Sequence, residues 1–272
     1  MSFQSNLSGS LIIDDSNYKL FADEAAAANG GMGTGYNQRD YNVAPLGTYA
    51  DETTRKIIPR SDWEDLIREK TERKANLHDL WKFRKVPVLN QGPLPYCWMY
   101  GTAGAIMTAY AKSSPYVPHL SATSCAAKIK NYRKEGGWAG EALDGIRKYG
   151  ISTLEYWPEH DLDRSNDTAE QRANAALHKH VEFAELPSRS FEALATALLS
   201  DDPTTLGLTW WGHLVYALEL VVIERGRFGV RGPNSWDYSW GANGLFVLDE
   251  SKAIAHEQIS VLSATPTRPV ND

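Results

Sequence analysis

Cysteine is scarce: the chain of 272 residues has two, Cys97 and Cys125. Two thiols cannot staple a small disulfide-rich fold, and a reducing compartment is the natural expectation. Long apolar runs are missing too. The longest, Leu214 to Ile223, is broken by Glu219 and falls short of the roughly 20 residues that cross a bilayer, so no membrane partner is expected. Met1 to Asn17 lack the basic-then-apolar order of a secretory signal, and the expectation is a cytoplasmic protein. Nor is basic charge in excess. Against 34 Asp and Glu stand 28 Lys and Arg, and a net charge of -6 argues against nucleic acid as a partner, because binding by counterion release needs cations. His119 and Cys125 offer two soft ligands where a structural zinc needs four, so neither a metal nor another cofactor is expected. What remains is an ordinary globular composition, 42% hydrophobic and 23% charged, in a chain long enough to bury a large core.

Residues 1–76 read as an N-terminal arm rather than a domain. Ala25 to Ala28 run into Asn29-Gly30-Gly31-Met32-Gly33-Thr34-Gly35, which has neither the strand nor the helix a phosphate cradle needs and reads as a flexible loop. Ser61 with Glu64 forms a capping box ahead of Trp63, Leu66 and Ile67, and predicts a helix over about 62–74, docked by one narrow apolar stripe. The compact domain is expected over 77–272, with a C-terminal tail from about 251. Its first half reads as helical: a buried helix from Cys97 to Ala111, one from Ser121 to about Lys134 stopped by Gly136-Gly137, and one from Glu141 to Tyr149 capped by Gly150. After a polar loop at 161–167, strands are expected at 181–186, 205–210, 213–224, 228–231 and 244–248, with a helix near 191–199 between the first two. A helical half followed by a strand half predicts an α+β fold of two lobes with a cleft between them.

Three polar residues stand out against that frame. Cys97 opens a buried helix, where unpaired N–H groups and the helix dipole favour a thiolate; taken alone, a buried cysteine is packing. His213 interrupts a strand-forming stretch beside Gly212, where a backbone or ligand approaches closely. Asn234 follows a strand, and its amide is suited to hold an imidazole by its ring N–H.

Taken jointly, the pattern over Leu77 to Leu248 resembles the papain-like cysteine proteases. Gln91-Gly92 lies six residues before Cys97-Trp98. Later come Asn234-Ser235-Trp236, Trp240-Gly241 and Asn243-Gly244, and between the two blocks stand Gly136-Gly137 and the helix that follows them. The resemblance implies a two-lobed papain-like fold and a thiol peptidase acting on peptides or proteins. It makes Cys97 the nucleophile, paired as thiolate with an imidazolium of His213. Asn234 would orient His213, Trp236 would shield that bond, and Gln91 with the Cys97 N–H would form the oxyanion hole. Gly136, Gly137 and Gly212 would line the substrate strand, Gly137 offering its backbone to an extended peptide. The chain departs from the family in having Leu94-Pro95-Tyr96 where Cys-Gly-Ser commonly precedes the nucleophile, in lacking the family's disulfide cysteines, and in showing no recognisable inhibitory propeptide in its first 76 residues.

Two other readings use the same residues. One is a papain-fold structural or binding component of a larger assembly, such as a virus or phage particle, with weak or no catalysis and a partner that orders the arm. The other is a Cys-His acyltransferase of transglutaminase type, which fits the Asn-Ser-Trp block less well because a carboxylate more often orients the histidine there.

Overall fold

An unbroken run of small and apolar residues from Cys97 to Ala111 contains no proline and no charge, so a helix built from it is stable only when surrounded on all sides. That helix is the axis of the fold. In the computed structural model, which describes residues 5, 7–27 and 33–265, the chain starts with a short strand β1 (Ile12–Ile13) and helix α1 (Tyr18–Ala27). It continues through β2 (Asp51–Glu52), α2 (Arg60–Glu72), α3 (Leu77–Phe83), the central α4 (Cys97–Ser113), α5 (Ala122–Ile129), α6 (Ala139–Tyr149) and α7 (Ala169–Ala176). The second half holds β3 (Val181–Glu185), α8 (Phe191–Leu199), β4 (Thr204–Leu208), β5 (His213–Ala217), β6 (Glu219–Glu224), β7 (Arg227–Pro233), β8 (Leu245–Asp249), α9 (Glu250–Ala253) and β9 (Glu257–Ala264).

Among the described residues the strands form two sheets, ordered β1-β8-β7-β6 and β2-β3-β9-β4-β5. One core gathers α3, α4, α5 and α6 around Trp98, Tyr100 and Met107; the other lies against the β lobe around Trp63, Leu206, Trp211 and Trp236. The fold is therefore α+β, with a helical lobe and a β-rich lobe. Among the described residues no helix is long and apolar enough to cross a membrane.

Several expectations need correction. The capping box at Ser61 does not form: α2 begins at Arg60 behind Pro59, and the Ser61 hydroxyl donates to Asp62 instead. The helix after Ser121 ends at Ile129, because Asn131 and Tyr132 turn into the left-handed region at φ 50° and 64°, so Gly136-Gly137 lie beyond it and do not stop it. The polar loop leads into α7, capped by the Thr168 hydroxyl. The strand expected over 213–224 divides at Leu218, where the chain leaves one sheet for the other. The supposed tail from 251 contains α9 and β9, and β9 pairs with both β3 and β4 inside its sheet. Its residues Glu257 to Val261 are buried, but mixed polar and apolar types hid that from a reading by pattern.

The first 76 residues are woven into both lobes. Strand β1 adds in parallel to β8, and Phe21 of α1 packs edge-on against Trp211 and Trp240. Residues Ala28 to Met32 of the glycine-rich stretch lie outside the described residues. In the other sheet β2 adds in parallel to β3. Between them Arg39 is buried, bonding Glu185 of β3 at 3.0 Å and lying 3.6 Å from Glu257 of β9, its guanidinium between the rings of Tyr41 and Tyr49. Glu185 also accepts from the Gly47 and Tyr49 N–H groups, and Glu257 from those of Ala139 and Gly140 at the start of α6.

Two carboxylates around one guanidinium leave an uncompensated charge, and burial pushes the Glu257 carboxyl up to about 7 from 4.5. The folded chain therefore holds a proton there that the unfolded chain has lost. The stabilising contribution is complete below pH 4.5 and disappears as pH rises through 7, a change of about 3 kcal/mol. Thermal unfolding followed from pH 5 to 8 is expected to show this loss, and Glu257→Gln to flatten the slope. An unaltered slope in the variant would remove Glu257 as its source.

Candidate active site

Cys97 stands at the first position of α4, behind a turn made by Gly92, at φ +53°, and two prolines. Its position across the cleft is set by glycine on the same helix. A Cβ on Gly101 would come within 2.6 Å of Leu214, and one on Gly104 within 2.4 Å of Tyr216, so α4 lies directly on β5 only because both positions are bare. That contact carries His213, the first residue of β5, to the side of Cys97, and the Leu214 N–H donates to Cys97 Sγ at 3.4 Å.

His213 is oriented through its far nitrogen. Nε2 lies 2.8 Å from Asn234 Oδ1, and the Ser235 N–H donates to that same oxygen at 2.8 Å, which fixes the amide so that its oxygen faces the ring. Nε2 therefore carries the proton, and Nδ1, buried and without a hydrogen-bond partner, is left as the acceptor. Trp236 stacks on the imidazole with centroids 4.7 Å apart, and Trp211 meets it edge-on at 5.1 Å. Gln91 is fixed in the same manner. Its Oε1 accepts from the Ser235 hydroxyl at 2.5 Å, leaving Nε2 to donate to the carbonyls of Leu94, at 2.9 Å, and Gly33, at 2.8 Å.

The Gly33 carbonyl belongs to the N-terminal segment, which runs along the cleft and bridges it at Tyr36. Trp236 Nε1 also donates to it, at 3.0 Å. Further along, the Gly35 and Tyr36 N–H groups both point at the Gly212 carbonyl, and Tyr36 bridges Gly137 in parallel. The Gly137 N–H donates to Gly35 O at 2.9 Å, and the Asn37 N–H to Gly137 O at 2.8 Å. The segment fits because it is bare at two alternate positions: a Cβ on Gly33 would lie 2.2 Å from Leu94 O, and one on Gly35 2.3 Å from Pro95 O. Gly136 faces it as well, its Cβ direction blocked 2.5 Å away by Gly35 O.

Burial decides the protonation state in this arrangement. Cys97 and His213 are wholly buried; desolvation pushes the thiol up to about 12 and the imidazole down to about 4, against the smaller opposing pull of the Leu214 N–H and of Asn234. Beneath the filled cleft, desolvation thus favours the neutral thiol and imidazole over the thiolate–imidazolium pair expected from the sequence and opposes the helix dipole.

Cys97, His213, Asn234, Gln91, Trp236, Gly136, Gly137 and Gly212 converge on this one cleft. Absent from the sequence reading are the strand that fills it and the Arg39, Glu185 and Glu257 cluster that anchors that strand. The alternation of Gly33 and Gly35 is the signal that was there to be read, since an extended segment squeezed between two walls needs bare positions two apart. Tyr96, expected beside the cleft, is buried and donates from its hydroxyl to Arg133 O at 2.7 Å. Cys125 is a buried free thiol, pushed up to about 12 by desolvation.

Residues 79–221 match the family model described as papain family cysteine protease, more than half of the chain; the match takes in Gln91, Cys97, Gly137 and His213 and stops short of Asn234. Pro-cathepsin H of Bos taurus is 26% identical over 190 residues, covering 61% of this chain and 56% of that protein. The oryzain gamma chain of Oryza sativa subsp. japonica is 27% identical over 191 residues, covering 61% and 52%. The chain thus spans little more than half the length of these relatives. Among solved structures, a mite allergen from a comparison of Blo t 1 and Der p 1 superposes with a TM-score of 0.59 at 16% identity over 91% of both chains. Digestive procathepsin L 3 of Tenebrio molitor gives 0.57 at 20% identity over 66% and 68%. The fold is papain-like, and the chain belongs to the papain family of cysteine proteases.

Proposed function

We propose that this chain is a cysteine peptidase held latent by its own residues 33–37. The observation that carries the reading is the tautomer of the histidine: with Nε2–H committed to Asn234, the lone pair of Nδ1 has no partner and is available to a thiol proton. Once the strand leaves and water enters, the desolvation that keeps both groups neutral is lifted, and the proton passes from Cys97 Sγ to His213. The thiolate then attacks a peptide carbonyl carbon. The developing oxyanion is held by Gln91 Nε2, now relieved of Gly33 O, and by the Cys97 N–H, while imidazolium His213 returns its proton to the leaving amine. Water repeats the sequence on the thioester and frees the acid. Peptides are the substrates, taken in extended form along Gly137 and Gly212.

The filled cleft also favours a second reading, a papain-fold component of a larger assembly in which catalysis is weak or absent. The two differ in what happens when the strand is displaced. Gly35→Ala forces this, because its Cβ meets Pro95 O and its φ of +125° is hostile to a side chain.

Alkylation by iodoacetamide at pH 7, followed by intact mass, is expected to be slow on the unaltered chain and at least tenfold faster on Gly35→Ala. Cys97→Ala should remove the labelled site and His213→Ala should slow it. A Gly35→Ala chain that labels no faster and cleaves no peptide would leave the assembly reading. With hydrolysis in hand, Gln91→Ala is expected to lower kcat by about 10²- to 10³-fold with little change in KM, as the loss of one oxyanion donor does.

A further inference from the structure

Gln91 is held on one side by the edge of the β lobe. Its N–H donates to Ser235 O at 2.9 Å, and Asn90 bridges Trp236. Those contacts hold one side of the turn, and the Gly33 N–H donates to Gly92 O at 2.9 Å. On the opposite side stands His160, whose Nε2 lies 2.6 Å from the Asn90 carbonyl. A carbonyl only accepts, so Nε2 carries the proton. The ring also lies flat against Gly92, where a Cβ would come within 3.1 Å of it, and the Gly92 N–H closes the turn on Asn90 Oδ1 at 2.9 Å.

The brace is itself tied to the nucleophile's helix. His160 sits in the left-handed region, at φ +61°, a conformation a histidine keeps only when neighbours hold it. Its N–H donates to the Thr123 hydroxyl at 3.2 Å. That hydroxyl is 2.9 Å from the hydroxyl of Tyr100, which donates in turn to Glu159 and whose ring stacks on His160. Tyr100 lies one turn beyond Cys97 on α4. A continuous set of contacts thus runs from α4 through Tyr100 and His160 to Asn90 and Gln91. The His160 side chain is 36% exposed, so filling the core does not account for it.

We infer that His160 is a positioning residue for the oxyanion hole, clamping the Asn90–Gly92 turn so that Gln91 Nε2 is aimed at the substrate carbonyl. The inference rests on the peptidase reading for its kinetic consequence but not for its structural one, and the test separates the two. In the full chain, hydrogen exchange of the Gln91 side-chain amide, assigned by NMR, reports its aim at Gly33 O directly. Exchange is expected to quicken about five- to tenfold in His160→Ala, the size of one lost hydrogen bond, while Tm and the exchange of the Trp236 indole N–H stay near wild type. His160→Gln, whose Nε2 is the same number of bonds from the backbone, should restore slow exchange.

On chains opened by Gly35→Ala, His160→Ala is expected to lower kcat about tenfold with KM unchanged. Unchanged Gln91 exchange, equal loosening at Trp236, failure of Gln to rescue, or a rise in KM alone would overturn the inference. If the opened chain cleaves nothing, the peptidase reading fails, and the exchange data still decide the role of His160.

Discussion

The close packing of α4 on β5 is the constraint on which the rest depends. Gly101 and Gly104 leave no side chain between helix and strand, so Leu214 and Tyr216 press directly onto the helix. Because β5 begins at His213 and α4 at Cys97, this single interface brings the two residues together from opposite lobes. Side chains at either glycine would push the lobes apart by the width of a methyl group or more, and the polar residues would lose each other even if every one were retained.

A second consequence of that packing is dryness. The same walls that align Cys97 and His213 exclude water once residues 33–37 are in place, and desolvation then acts on the two groups in opposite directions, raising the thiol and lowering the imidazole. In the reading proposed above, latency is electrostatic as well as steric: residues 33–37 block the cleft, and the burial they complete disfavours charge on both groups. The strand is kept there by backbone bonds to Gly137 and Gly212 and, a few residues on, by Arg39 between Glu185 and Glu257. Removing Arg39 from so buried a set leaves carboxylates without a cation, which costs far more than losing an exposed ion pair of the same geometry.

Legibility followed local physics. The buried helix from Cys97 was readable because an all-apolar run admits few alternatives, and the end of α6 at Gly150 because a left-handed cap at φ 69° calls for glycine. The residues around the cleft were readable as a set only through their resemblance to the papain-like pattern, since each taken alone is a packing or turn residue. Strand β9 was not: Glu257, Gln258 and Ser260 are polar residues buried by neighbours far away in sequence, among them Arg39 and the first N–H groups of α6. The arm was misjudged for the same reason. Glycine-rich sequence is flexible by itself, and only two facing walls make its bareness a fit.

By itself, then, the sequence determined the α+β class and the burial of the Cys97 helix, because both follow from composition and periodicity, while the polar residues that meet in the cleft were named by the resemblance of their pattern to the papain-like proteases. The tertiary structure alone decided that residues 33–37 occupy that cleft, that burial beneath them disfavours charge on Cys97 and His213, and that His160 stands against the Gln91 turn. Those depend on distances between segments far apart in the chain and on how much water is left between them. Neither quantity is encoded at any single position.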